Sequence, residues 1–177
     1  MPPIVRSTVG RYVNVGVTGT TTAVKGRALE DLICYVFAQV PGISITRRNA
    51  MNVFKTEEID VALWNEGDAN GFFFLANIIL VECKNWSNPV SSAEVNWFDS
   101  KLRNRGLDFG ILVAVNGITG DAADLTAAHS IVAAALRDKR RLVVITIDEI
   151  VGLSDSLELV RLVKEKICDL AVRGTLV

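Results

Sequence analysis

Two short, largely apolar runs in the second half of the chain place the strongest limit on its fold. Their sequences are FGILVAV at residues 109–115 and RLVVITI at residues 141–147, and the segment between them, AADLTAAHSIVAAALRDKR, has the pattern of an Ala-rich helix. Strands without polar alternation are buried on both faces, which is typical of parallel sheets covered by helices. The second half therefore predicts parallel strands joined by helical crossovers.

The first half predicts a helix followed by antiparallel strands. Thr22 can cap a helix with apolar residues at helical spacing, and Pro41-Gly42 ends it. The runs ISITRR, EIDVALW and FFFLANIILVECKNW then predict two or three adjacent strands, the last two joined as a hairpin across the polar turn NEGDANG.

Two further helices complete the order of elements. Ser91 or Ser92 can cap a helix after Asn88-Pro89, with Lys101 predicted on its exposed face, and DSLELVRLVKEKICDLAV predicts a closing helix. The order is α-β-β-β-α-β-α-β-α, an α/β class with a central mixed sheet. Residues 23–177 are expected to form one domain, while residues 1–22, rich in Thr, Gly and Val, are expected to form an arm or a short hairpin.

Composition excludes several classes of protein. With 50% hydrophobic residues and 22% charged residues, the 177-residue chain is typical of a globular domain that buries a core without a structural metal. No apolar run is long enough to cross a membrane, no leader pattern opens the chain, and the three cysteines are widely separated. We expect a soluble, cytoplasmic protein with reduced cysteines. The net charge of −1 shows no overall electrostatic preference for nucleic acid.

Charged residues interrupt two of the apolar strands at compatible positions. Because side chains alternate across a strand, Glu82 and Lys84 share one face, while Cys83 points to the other. On the preceding strand, Asp60 shares its face with Ala62, opposite the apolar face. If the two strands pair antiparallel, both carboxylates and the lysine converge at one end of the sheet.

Two ionised carboxylates a few ångströms apart repel each other unless a cation neutralises them. Oxygen ligands favour a hard divalent ion, which predicts a Mg²⁺ site at Asp60 and Glu82, with Mn²⁺ as a substitute and the Cys83 backbone carbonyl as a further ligand. Lys84 would then lie beside a metal-bound water and could orient it. Glu30, at the edge of the first helix's apolar stripe, could reach the same site.

Structural explanations exist for each of these residues. Glu82 and Lys84 could mark the point where a strand emerges into water, Asp60 could lie near a turn, and Glu30 could be a solvated helix-edge carboxylate. The basic clusters around Arg47, Lys101 and Lys139 could contact phosphates or simply face solvent. Trp86 and Trp97 could stack on bases or pack against a helix.

The order of these residues resembles a known superfamily. A helix with Glu30, a strand with Asp60 and a strand ending in Glu82, Cys83 and Lys84, followed by a helix and a further strand, is similar to the restriction-endonuclease-like PD-(D/E)xK nucleases, in particular the branch of modification-directed restriction enzymes and Holliday-junction resolvases. The resemblance implies a three-layer α/β/α fold with an αβββαβ core. The position before Asp60 is Ile59 rather than the proline of the fullest motif. The helix after the motif, which in relatives often carries Gln or Lys residues facing the site, here reads SSAEVNWFDSKL, where Asn96 and Lys101 could substitute, neither with an assigned role.

The resemblance also implies a function. It assigns Mg²⁺ binding to Asp60 and Glu82, support of the metal to Glu30 and assistance to the nucleophilic water to Lys84, in a metal-dependent endonuclease acting on DNA in prokaryotic defence or DNA processing. A homodimer or a partner protein would supply specificity. The alternative is a non-catalytic nucleic-acid-binding or assembly subunit that retains the fold.

Overall fold

The computed structural model describes residues 1–53, 55–84, 88–120 and 126–174. Within these ranges the chain forms a central sheet with helices on both sides. In chain order the elements are α1 Arg6–Thr18, α2 Thr22–Phe37, β1 Ile43–Met51, β2 Glu58–Asn65, β3 Ile78–Lys84, α3 Ser92–Asn104, β4 Phe109–Ala114, α4 Ala127–Arg137, β5 Arg141–Ile145, α5 Ile147–Gly152 and α6 Ser156–Arg173.

The sheet is mixed, as the sequence predicted. Its strand order is β1-β2-β3-β4-β5, with β1, β2 and β3 antiparallel and β3, β4 and β5 parallel. Helices α3 and α4 provide the long crossovers that parallel neighbours need, whereas β1 and β2 are joined by a short turn. All six residues of β4 are buried, which explains their uninterrupted apolar run.

Helices cover both faces of the sheet and make three layers. Helices α3 and α4 contact each other over one face, on which α3 packs against β4, and helix α2 packs on the other, where Phe37 meets Phe72 at a ring-centroid distance of 6.0 Å. Helix α6 packs against β5 and reaches Phe74 through Lys164. No helix within the described residues is long and apolar enough to cross a membrane.

The N-terminal segment is a helix, so the predicted hairpin or arm is wrong. Helix α1 packs along α2, buries Val9, and places Tyr12 beside Tyr35 with ring centroids 6.3 Å apart. The Tyr35 hydroxyl also accepts a hydrogen bond of 2.9 Å from the Val5 N–H at the helix start. The many β-branched residues and glycines obscured a short apolar stripe, and contact with α2 stabilises the helix.

The long apolar run at residues 72–86 is not one strand. Strand β3 begins only at Ile78, because Phe72 and Leu75 belong to a turn. The fully buried Asn65 side chain holds this turn by donating to the carbonyl oxygens of Phe72 at 2.9 Å and of Leu75 at 3.2 Å. A buried amide with these partners selects the turn over a continued strand.

The N-caps of α2 and α3 lie within one residue of the positions predicted from the sequence. The Thr21 side chain, one position before the predicted cap, accepts the Val24 N–H. Ser91 caps α3 and forms a reciprocal capping box with Glu94. Helix α5 was not predicted, since its six residues follow β5 directly and are too few to show a helical period.

Gly110 allows α3 to pack closely on the sheet. A Cβ atom at this position of β4 would lie 2.6 Å from Leu102 Cδ1 and 2.8 Å from Phe98 Cζ. Both side chains are fully buried on α3, so neither can move away freely. The absence of a side chain at Gly110 therefore sets the distance between α3 and β4.

We expect Gly110→Ala to lower the free energy of unfolding by about 1–3 kcal/mol, because the new methyl group overpacks this contact. Urea denaturation would measure the loss. Gly10→Ala is the matched control, since that helical glycine has nothing within 4 Å of its Cβ direction, and should be neutral or stabilising by up to about 1 kcal/mol. Equal stability of Gly110→Ala and the wild type would contradict the packing.

Candidate active site

Asp60 and Glu82 lie opposite each other at one end of the sheet. The β2–β3 register pairs Ala62 with Leu80 and Val61 with Val81, and its continuation brings Asp60 opposite Glu82. Opposed residues of an antiparallel pair project from the same face. The two carboxylates therefore converge as predicted, and the charge of Glu82 acts on Asp60. Lys84 projects from the same face of β3, two residues after Glu82.

Asp60 lies one position beyond the last regular pair of β2 with β3, Val61 with Val81. Its Oδ2 atom accepts a hydrogen bond of 2.7 Å from the backbone N–H of Cys83. Burial, together with the charge of the nearby Glu82, raises the pKa of the Asp60 carboxyl to about 6. Within the part of the chain that the structure describes, no lysine or arginine forms an ion pair with Asp60.

Glu82 is held by two ammonium groups. It is only 3% exposed, and its Oε2 and Oε1 atoms lie 2.7 Å and 2.9 Å from the Nζ atom of Lys101. The Nζ atom of Lys84 lies 3.1 Å from Oε1. Each of the two cations beside this buried carboxylate offsets part of the cost of removing its charge from water.

The prediction that Lys101 lies on the exposed face of α3 is wrong, whereas the alternative from the family resemblance, that it faces the site, agrees with the structure. The residue is 3% exposed and its ammonium reaches the sheet. A signal was present in the sequence, since Lys101 follows Phe98 by three positions and precedes Leu102, both of which belong to the buried stripe. A lysine within such a stripe needs an acidic partner, and Glu82 is that partner.

Lys84 remains a cation in this environment. Burial by itself would lower its pKa, but attraction to Glu82, a hydrogen bond to Glu82 and attraction to Asp60 outweigh burial, so the pKa is raised. A lysine with a raised pKa holds its proton at neutral pH. Its chemistry is therefore that of a positive hydrogen-bond donor, suited to orienting a water molecule or a phosphate oxygen, and not that of a general base.

Cys83 presents its backbone, and not its thiol, to the carboxylates. The thiol lies on the opposite face of β3, where burial raises its pKa well above the ordinary value and makes a thiolate unfavourable. The Cys83 N–H points towards β2 and binds Asp60. Because the N–H and C=O groups of one strand residue project to the same side, the Cys83 carbonyl also faces Asp60.

Glu30 is directed towards β1. Its Oε2 atom accepts a hydrogen bond of 2.9 Å from Asn49 Nδ2 and lies 3.6 Å from a guanidinium nitrogen of Arg48. Among the described residues there is no group of three or more His, Cys, Asp or Glu side chains arranged to hold a metal ion. The structure thus brings Asp60, Glu82 and Lys84 together, and it gives Glu30 separate partners.

Most of the predicted basic clusters contain residues with structural partners. Arg48 pairs with Asp31 at 2.6 Å, Arg105 with Glu57 at 2.6 Å and Arg140 with Asp99 at 2.7 Å. Trp97 is half exposed on α3, and Trp86 lies outside the described residues. These clusters therefore mainly join elements of the fold.

We expect Lys101→Met to reduce the free energy of unfolding by about 3 kcal/mol, because the buried Glu82 keeps only Lys84 as a cationic partner. Urea denaturation at pH 7 would measure this. Arg103→Met on the exposed side of the same helix should change stability by less than about 0.5 kcal/mol. Adding Glu82→Gln to Lys101→Met should recover part of the loss, and a wild-type stability for Lys101→Met would contradict the buried pair.

Comparison with known proteins agrees with this geometry. A family model described as "Restriction endonuclease", Mrr_cat, matches residues 21–149, most of the chain. The match extends from the start of α2 into α5 and includes Glu30, Asp60, Glu82 and Lys84. No curated protein matches the chain at the required significance. The mixed sheet, the carboxylate pair at its end and the family match together show that this chain belongs to the restriction endonuclease family, a family of nucleases.

Proposed function

We propose that this protein is a divalent-metal-dependent endonuclease that hydrolyses phosphodiester bonds in DNA, in prokaryotic defence or DNA processing. One observation carries the proposal. Asp60, near the start of β2, and Glu82, near the end of β3, project from the same face of the sheet. The Nζ atom of the cationic Lys84 lies 3.1 Å from Glu82. Paired carboxylates with an adjacent cation are suited to phosphodiester hydrolysis, in which negative charge develops on phosphate oxygens.

The donors at this site fit a hard divalent cation such as Mg²⁺, with Mn²⁺ as a substitute. Asp60 is mostly buried, is repelled by Glu82 and has no ion-pair partner among the described residues, so a cation would relieve an unfavourable charge. Asp60, Glu82 and the Cys83 carbonyl supply oxygen ligands, and open positions would be filled by water. When bound, the cation would acidify a water molecule and neutralise charge on the phosphate.

The protein's own residues divide the remaining work. Lys84, kept protonated by Glu82, would orient the attacking water and donate to a phosphate oxygen. Lys101 would hold the Glu82 carboxylate in place from α3. Glu30 would support the site from α2 after exchanging its contact with Asn49, since that hydrogen bond directs its carboxylate towards β1.

A non-catalytic binding or assembly subunit is the second candidate, and a specific contact favours it. Both Glu82 oxygens are bound by Lys101, so that carboxylate is already neutralised without a metal. In such a subunit the charges would stabilise the sheet end alone. Metal binding separates the candidates, because only the nuclease needs Asp60 and Glu82 to share a cation.

We expect purified protein to cut duplex or branched DNA with Mg²⁺ or Mn²⁺ and not with EDTA. Lys84→Ala should reduce the cleavage rate by at least about 100-fold, the usual cost of removing one positioned donor at a reacting phosphate or carbonyl. Lys164→Ala, which removes a lysine that packs on Phe73 and Phe74, should cut normally. Cleavage by Lys84→Ala at the wild-type rate would overturn the assignment of Lys84.

Calorimetry with Mn²⁺ provides the second test of the proposal. The wild type should bind Mn²⁺, and Asp60→Asn should not. Absence of Mn²⁺ binding together with absence of cleavage on duplex, branched and single-stranded DNA and on RNA would favour the non-catalytic subunit. Specificity is proposed to come from a homodimer or a partner protein, which mass measurement of the cutting species would identify.

In the metal-free protein, the contribution of Asp60 to stability should decrease as the pH rises from about 4 to about 7. The pKa of Asp60 is about 6 in the folded protein against an ordinary value of 3.8, so the folded state holds this proton more tightly than the unfolded state. That contribution is present at low pH and is lost as the pH rises through 6.

Asp60→Asn should therefore stabilise the metal-free protein by roughly 2 kcal/mol at pH 8 and by much less at pH 4, while abolishing metal binding. Urea denaturation in EDTA at both pH values measures this. An Asp60→Asn variant less stable than the wild type at pH 8 would contradict the raised pKa.

A further inference from the structure

The turn between β1 and β2 lies at the same end of the sheet as the candidate active site. The last pair of the β1–β2 ladder is Met51 with Glu58, and Asp60 follows Glu58 by two positions. At about 3.3 Å per residue, the turn begins about 7 Å beyond Asp60. We define the hairpin tip as the described residues 52, 53 and 55–57. Any duplex that reached Asp60 and Lys84 would pass beside this tip.

The hairpin tip is ordered by its own hydrogen bonds. Asn52 Oδ1 accepts the Thr56 N–H at 2.9 Å, Asn52 Nδ2 donates to Thr56 Oγ1 at 2.9 Å, and the Asn52 N–H donates to the Glu57 carbonyl at 2.9 Å. A side-chain amide that closes a turn in this way restricts the backbone. These contacts therefore restrict Asn52, Thr56 and Glu57 before any partner binds.

A second set of contacts anchors the tip to α3. Glu57 binds Arg105 at 2.6 Å and accepts a further hydrogen bond of 3.3 Å from Asn104. Arg105 also donates to the Lys101 carbonyl at 2.9 Å, and the Lys101 ammonium binds Glu82. The tip is thus held at a set distance from the carboxylate pair through one helix, which reduces the ordering cost of binding.

This ordered tip presents an apolar side chain to solvent. Val53 is 93% exposed, the highest value among the large hydrophobic residues that the structure describes, and Met51 at the base of the tip is 49% exposed. Lys55 is exposed two positions after Val53 and supplies positive charge at the tip; Arg47 is exposed further along β1, and the acidic Glu58 is exposed where β2 begins. Apolar side chains flanked by cations are the residues that proteins insert into DNA grooves, where they contact sugars and base edges.

We propose that the hairpin tip is a groove-contacting element for duplex DNA, with Val53 entering the groove beside the scissile phosphate and Lys55 contacting the backbone. This inference rests on the proposed nuclease function, because the occupant is taken to be the same duplex that Asp60 and Lys84 engage. The tip would determine which phosphodiester bond along the duplex is placed at the active site. Phosphate contacts position a protein on DNA, and groove contacts select the sequence or shape.

The test is Val53→Asp in the full chain, which places a negative charge where the groove and its phosphates would lie. Fluorescence anisotropy, with Ca²⁺ in place of Mg²⁺ to prevent cleavage, measures the affinity for a 30-base-pair duplex. We expect the Kd to increase at least about 10-fold. Cleavage should show a raised KM with kcat at saturating DNA within about threefold of the wild type, since no reacting group has changed. The distribution of cut positions should broaden.

Val172→Asp is the matched control, because Val172 is 84% exposed on α6 and should bind and cut like the wild type. Thermal unfolding of both variants should equal that of the wild type, as both side chains are exposed. Val53→Ser should show a smaller defect than Val53→Asp.

Three outcomes would overturn the inference. Unchanged affinity and cut positions in Val53→Asp, with the wild type cutting DNA, would remove the role of the tip and leave the nuclease intact. An altered oligomeric state in Val53→Asp with unchanged DNA affinity would identify a second copy of the chain as the occupant. A wild type that neither binds nor cuts DNA would overturn the proposed function as well, which distinguishes the two failures.

Discussion

The close approach of two carboxylates at the end of the sheet is the constraint on which the surrounding structure depends. Asp60 and Glu82 face each other across β2 and β3 in a partly buried position, where like charges are unfavourable. The protein offsets the repulsion unevenly. Glu82 contacts two ammonium groups, whereas Asp60 accepts one backbone N–H. The pKa of Asp60 is raised as a result of its burial and of the Glu82 charge. This asymmetry leaves Asp60 as the open side of the site.

Helix α3 connects this site to the rest of the molecule. Its capping box sets its start, Gly110 lets it approach the sheet, and the helix carries three ion-paired residues that reach different elements. Lys101 binds Glu82 on β3, Arg105 binds Glu57 beside the hairpin tip, and Asp99 binds Arg140 before β5. A displacement of α3 would therefore alter the carboxylate pair and the tip together. The helix after the motif is thus a structural part of the site.

The arrangement has the character of a functional site more than of an optimised sheet end. A fold selected only for stability would replace the repelling pair with apolar residues, which pack without a desolvation cost. Here Asp60 is kept ionisable beside Glu82, and Val53 is kept exposed on an ordered turn. The first feature lowers the stability of the metal-free chain at neutral pH, and the second leaves an apolar side chain in water; proteins commonly retain such features where a ligand binds. A divalent cation and a DNA duplex are the ligands whose chemistry would use them.

The amino-acid sequence was enough to predict the mixed sheet, the order of helices and strands from α2 onward except for α5, and the shared face of Asp60, Glu82 and Lys84. These follow from the two-residue alternation of strands and from apolar runs, which are local properties. It did not determine α1, whose helix depends on packing against α2, or the turn that Asn65 holds at the start of β3. The contacts of Lys101 with Glu82 and of Glu30 with Asn49 became evident only in the folded molecule. These contacts depend on the position of each helix along the sheet. That position depends on packing between residues that are distant in the sequence, so no local pattern predicts it.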